Sequence, residues 1–128
     1  MKHLTQDKEY NCGQTCVAMI SNKSIRDIEN IVGHDSGMNI EDLITICNFL
    51  KISVGKEWIR KRYRKWIGRY LLPMNCFVFI VFKDSEVFEN KEIGHLVIRN
   101  KGKFLDPNGN QFYLFQKRHR VKAYLKIK

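Results

Sequence analysis

Apolar residues recur at helical spacing through the first part of the chain and at strand spacing through the rest. Residues 13–20 are apolar enough to predict a buried helix beginning at or next to Cys12. Ser24 with Asp27 three positions on resembles a capping box. Ile25, Ile28, Ile31 and Val32 then share one face before Gly33 stops the helix. Asn39 is placed to cap a third helix with Ile40, Leu43, Ile44, Cys47 and Leu50 on one stripe. A fourth helix is predicted over residues 56–70, its stripe being Ile59, Tyr63, Trp66, Ile67 and Tyr70.

The period then changes. Residues 76–82, Cys-Phe-Val-Phe-Ile-Val-Phe, are β-branched and aromatic, which predicts a buried strand. Residues 94–99 and 103–105 read as two short strands around the turn Asn100-Lys101-Gly102. Asp106-Pro107-Asn108-Gly109 is a second turn signal, and residues 111–115 read as a further strand. Residues 120–128 alternate, which predicts Val121, Ala123, Leu125 and Ile127 on one face. Helices followed by antiparallel strands make this an α+β domain, N-terminal helices packed on a C-terminal sheet.

With 128 residues the chain suits one domain, residues 1–128, and 44% apolar content is enough for a core. The balance of 23 Lys and Arg against 13 Asp and Glu leaves a net charge of +10, which favours an acidic partner over a cationic ligand. No apolar stretch follows the first basic residues, and no apolar run approaches the ~20 residues of a membrane span. The expectation is a cytoplasmic chain without a membrane span, whose four cysteines stay reduced. Cys12 and Cys16 lack a second Cys or His pair to complete a metal site, so neither metal nor cofactor is expected.

Cys12 carries the chemistry. At a helix amino terminus, unsatisfied N–H groups and the helix dipole stabilise a thiolate. Gly13 lets backbone approach a substrate, and Gln6 has a side-chain N–H to offer an oxyanion. A cysteine nucleophile needs a base, and the base an orienting acceptor. His95, after Gly94, and Asp106, before Pro107, lie on successive strands joined by a tight turn, with Asn108 as the alternative orienter. Cysteine on a helix facing histidine on a sheet is the papain-like arrangement. Cys16, Cys47 and Cys76 read as small buried hydrophobes, and His3, His34 and His119 as surface or satisfied histidines.

The combination of Gln6, the run from Asn11 through Ile20, Gly94-His95-Leu96-Val97-Ile98 and Leu105-Asp106-Pro107 resembles the bacteriocin-processing, double-glycine peptidase family. Gly37-Met38-Asn39-Ile40 corresponds to that family's middle segment. The resemblance implies a papain-like cysteine peptidase fold with Cys12 as nucleophile, Gln6 as oxyanion donor, His95 as base and acid, and Asp106 orienting His95. Gly13 and Gly94 would then line the substrate site. Family members commonly carry an acidic residue before the cysteine, where this chain has Asn11.

The same machinery serves deamidases and acyltransferases. A different class altogether is an inactive basic module gripping nucleic acid or an acidic protein. Seven basic residues between 56 and 70, among them Arg60, Lys61, Arg64 and Lys65, stand against Glu57 alone and predict a recruitment surface. An acidic peptide or protein substrate is favoured over nucleic acid, because no base-reading motif is present. The oligomeric state is left open.

Overall fold

The computed structural model describes residues 1–8, 11–34, 36–60, 63–64, 72–83, 92–109 and 120–128. Three helices, α1 (Cys12–Ser21), α2 (Ile25–Val32) and α3 (Ile40–Phe49), precede the strands. The strands are β1 (Tyr63–Arg64), β2 (Cys76–Lys83), β3 (Glu92–Asn100), β4 (Lys103–Leu105) and β5 (Arg120–Lys126). They form one antiparallel sheet in the order β1-β5-β2-β3-β4. The α+β reading therefore holds.

Local chemistry sets the element ends. The Ser24 hydroxyl accepts from Asp27 N–H at 3.0 Å and opens α2, and Gly33 ends it at φ +91°. Asn39 stands at the N-cap of α3, with no side-chain cap bond. The β3–β4 hairpin closes on Lys101 and Gly102 at φ +51° and +80°, the left-handed pair of a two-residue type I′ turn.

Two apolar layers lie on the sheet. The helices pack Cys16, Val17, Ile28, Leu43 and Cys47 onto Phe77, Leu96, Ile98, Ala123 and Leu125. The opposite cluster gathers Leu72, Cys76, Val78, Ile80, Val97, Phe104 and Val121. Val121 thus departs from the face the alternation predicts. Phe79 pairs with Ala123 and Ile80 with Val121, so Lys122 is an extra residue in β5. That bulge reverses the side of every residue before it. Its row, Val121–Ile80–His95, contains the candidate base.

Over its described residues, 56–60 and 63–64, the predicted fourth helix is replaced by extended chain. Val54 bridges Ile127, Ile59 bridges Tyr124, and Tyr63–Arg64 pairs with β5 as β1. Gly55 N–H donates to Lys126 O at 2.8 Å, Ile59 N–H to Tyr124 O at 2.8 Å, and the Trp58 indole to Ile40 O at 2.6 Å. The physical reason is the outer edge of β5. Its ladder groups need partners, and a segment rich in Trp, Ile and Tyr supplies them as readily in extended form as it would build a helix. The strand predicted over residues 111–115, His119, and Trp66, Ile67 and Tyr70 lie outside the described residues. Among the described residues no helix is long and apolar enough to cross a membrane.

Candidate active site

Cys12 is the first residue of α1, and no acidic side chain sits in that first turn. Asn11 makes no cap bond there; its carbonyl instead takes Thr15 N–H at 3.0 Å and the Thr15 hydroxyl at 2.8 Å. The helix start is therefore open, and the Cys12 sulfur receives the N–H of Gly13. A second N–H comes from Leu96 on β3. β4 pairs only with residues 98–100 of β3, which leaves the Leu96 edge to α1. One helical turn on, the Cys16 thiol donates to Leu96 O at 3.5 Å. Two cysteines on one helix face thus occupy both peptide groups of Leu96, which fixes Cys12 against the sheet edge.

His95 hydrogen-bonds the Cys12 sulfur on one side. On the other, its Nε2–H donates to Asp106 Oδ1 at 2.7 Å. A ring has two nitrogens, so Asp106 leaves Nδ1 for the thiol. Both partners are withdrawn from water, with side-chain exposures of 9% for His95 and 0% for Asp106. Asp106 lies one residue past β4 and opens the turn in which Gly109 N–H returns to Asp106 O at 2.8 Å. Asn108 N–H donates to Asp106 Oδ1 at 2.9 Å, an Asx turn that locks the carboxylate orientation. The Asp-Pro-Asn-Gly turn signal and the orienting carboxylate are one device. Asn108, the alternative orienter, is exposed and meets the Asp106 carboxylate through its backbone N–H.

The electrostatics follow from this line of groups. Burial pushes the Cys12 thiol up, but the hydrogen bond and charge of His95, with the N–H groups of Leu96 and Gly13, outweigh it and hold the thiol below its ordinary value. Burial disfavours a charged His95, yet the bonds to Asp106 and to Cys12 overcome that and raise it to about 9. The other three cysteines move the opposite way. Burial drives Cys16 well above the ordinary range, with Cys12 and Asp106 adding to it. It lifts Cys47 and Cys76 to about 12, the charge of Arg99 opposing it only weakly at Cys76.

Gln6 lies beside the Asp106 turn. Its backbone N–H donates to Pro107 O at 2.7 Å and its side-chain amide to Lys8 O at 2.8 Å. Gly13 and Gly94 each have a packing reason to lack a side chain. A Cβ on Gly13 would meet the Met38 side chain at 3.2 Å, and one on Gly94 would lie 2.5 Å from the Phe79 ring. Gln14, fully buried, donates to Ser36 O at 2.7 Å and holds the segment leading to Met38 over the start of α1. In the sequence Met38 is only part of a helix entry, with no chemical signal that it would lie against Gly13, next to Cys12.

Asn11 is fully buried, and its amide donates to Asp7 Oδ1 at 2.6 Å and Glu29 Oε1 at 3.0 Å. Its own Oδ1 accepts Lys8 N–H at 3.2 Å, while Lys8 Nζ reaches Glu29 at 3.2 Å. This explains the amide at position 11: two carboxylates here need a donor. Asn11→Asp brings a third carboxylate into the cluster and should cost about 2 kcal/mol at neutral pH. Repulsion raises the new carboxyl's pKa, so the loss shrinks as pH falls toward ~4, where it protonates. Urea denaturation at the two pH values checks this.

The described basic residues of this segment do not lie on a helix. Arg60 is exposed and pairs with Glu41 at 3.5 Å, Arg64 lies in β1, and Lys61 and Lys65 fall outside the described residues. Among the described residues no group of three or more His, Cys, Asp or Glu is arranged to hold a metal ion. No model of a known protein family matches this sequence, and no curated protein matches it either.

Proposed function

We propose that this chain is a papain-like cysteine peptidase. The observation that supports the reading best is the continuous line from the Cys12 sulfur through His95 to Asp106, with His95 Nε2 at 2.7 Å from the carboxylate. The lowered thiol and raised imidazole favour a thiolate–imidazolium pair, which is the nucleophile and the acid that peptide cleavage requires.

The thiolate attacks the substrate carbonyl carbon, and the carbonyl π electrons move to oxygen. The Cys12 backbone N–H and the Gln6 amide are the oxyanion donors in this reading. His95 passes its proton to the leaving amine as the C–N bond breaks. The resulting thioester is hydrolysed by a water that gives its proton back to His95, and Cys12 leaves as thiolate. Asp106 holds the imidazole in place throughout.

The pH dependence has a definite sign. His95 is raised from 6.5 to about 9, so the stabilisation from its bonds is full below about 6.5 and is lost as pH rises through about 9. Cys12 is lowered, so its contribution is lost as pH falls through its depressed value. Activity should therefore plateau between the two and decline above about 9, where the general acid is lost.

A digest of a mixed peptide library, read by mass spectrometry with Cys12→Ala as control, tests the reading. Cleavage is expected to give pairs of new termini absent from the control. Intact peptides of changed mass would point instead to deamidation or acyl transfer, and no Cys12-dependent product at any pH in the plateau would overturn the reading.

A further inference from the structure

We propose that the amino-terminal segment is a positioning strap for the catalytic pair: His3 grips the main chain of Asp106 and so places the carboxylate that orients His95. The proposal rests on the peptidase reading for its consequence in catalysis, and on geometry for its substance.

Asp106 lies beyond the last pair of the β3–β4 ladder, Ile98 with Leu105, so the sheet does not hold it. The turn fixes Asp106 relative to Asn108 and Gly109 but not relative to His95. Long-range bonds to the turn come from residues 3–6. His3 Nε2 lies 2.6 Å from Asp106 O, across 103 positions of sequence, and a carbonyl oxygen only accepts, so Nε2 carries the proton. Gln6 N–H donates to Pro107 O at 2.7 Å. Between them Leu4 packs into the helix-side core, and Thr5 lies against Gly109. The two ends of this segment thus bond the two consecutive carbonyls of Asp106 and Pro107.

The arrangement is economical. One residue, Asp106, joins the strap to the site: its carbonyl takes His3 and Gly109, and its Oδ1 takes His95 and Asn108. The titratable groups facing His95 are Cys12 from α1 and Asp106 after β4, with Cys16 behind them. Loosening the turn withdraws Asp106 from that set. His3 touches neither thiol nor imidazole, so it is a positioning residue.

The test compares His3→Phe, which keeps a ring and removes the donor, with His3→Gln, which restores an N–H donor of similar reach. Two readouts are taken on the whole chain: the His95 imidazole titration by NMR, and the iodoacetamide rate at Cys12 against pH. His3→Phe should lower the His95 midpoint by a unit or more from about 9 and slow Cys12 alkylation at neutral pH about tenfold. His3→Gln should stay within about twofold of the parent rate. A fold-stability role alone would not move the titration of the folded molecules. An unchanged titration in folded His3→Phe overturns the proposal, as does a His3→Gln protein that falls as far. If His3→Phe does not fold, His3→Ala takes its place, and failure of both makes His3 a folding residue and also overturns it. A parent protein that cleaves no peptide defeats the peptidase reading, while the NMR titration still decides the strap.

Discussion

Iodoacetamide near neutral pH should modify Cys12 and leave Cys16, Cys47 and Cys76 essentially untouched. A thiol at about 12 holds roughly a thousandfold less thiolate at pH 7 than one at 9, the ordinary value that Cys12 lies below. Basic thiolates are intrinsically better nucleophiles, which cuts that advantage to several tens. Burial restores it, because Cys16, Cys47 and Cys76 are all 0% exposed while Cys12 is only partly buried. The expected selectivity is at least about a hundredfold, read by peptide mapping against pH. In the cleavage assay Cys12→Ala should lose at least about 10⁴-fold in kcat/KM, since what remains after removing a nucleophile is binding and oxyanion stabilisation. Equal, slow labelling of all four thiols would remove the nucleophile from the site.

Substitution of Asp106 should separate charge from geometry. In Asp106→Asn a side-chain oxygen can still accept from His95 Nε2–H and Asn108 N–H, the two bonds that Oδ1 now makes. The negative charge is gone, so His95 falls from about 9 toward 6.5 and the upper limb of the pH profile moves down with it. Activity at neutral pH is expected to fall about 10- to 100-fold. Asp106→Ala removes the acceptor as well and should cost about 10³-fold or more. It also strands the buried His95 N–H, at about 1–3 kcal/mol, and the partly buried Asn108 N–H, so its melting temperature should drop where that of Asp106→Asn changes less. Comparable activity for Asp106→Ala and the parent would show that the imidazole does not depend on this carboxylate.

Much of the candidate site was legible because its determinants are local. A cysteine opening an apolar run, a histidine after glycine in a strand, and Asp-Pro-Asn-Gly are each readable within a few residues, and they name Cys12, His95 and Asp106. The roles of His3, Gln14 and Met38 were not legible in that way. Their partners lie far along the chain, Asp106 in the case of His3, and nothing in the neighbourhood of a lone histidine or methionine indicates what it will meet.

The same division runs through the fold. By itself the sequence determined the three helices, β2, the β3–β4 hairpin and its left-handed turn, since periodicity, capping and turn chemistry are decided by neighbours in the chain. Only the tertiary structure decided residues 56–60 and 63–64. Ile59 and Tyr63, which satisfy helical spacing, became edge residues because β5 had unpaired ladder groups, and those are properties of the sheet. It likewise decided the face of Val121: a bulge at Lys122 is invisible to alternation, which assumes one residue per pair on each strand. The His95–Asp106 bond depended on both. Turn chemistry aims the carboxylate, and the packing of residues 3–6 against that turn brings it to the imidazole, because a backbone beyond its last ladder pair takes its position from whatever long-range partners reach it.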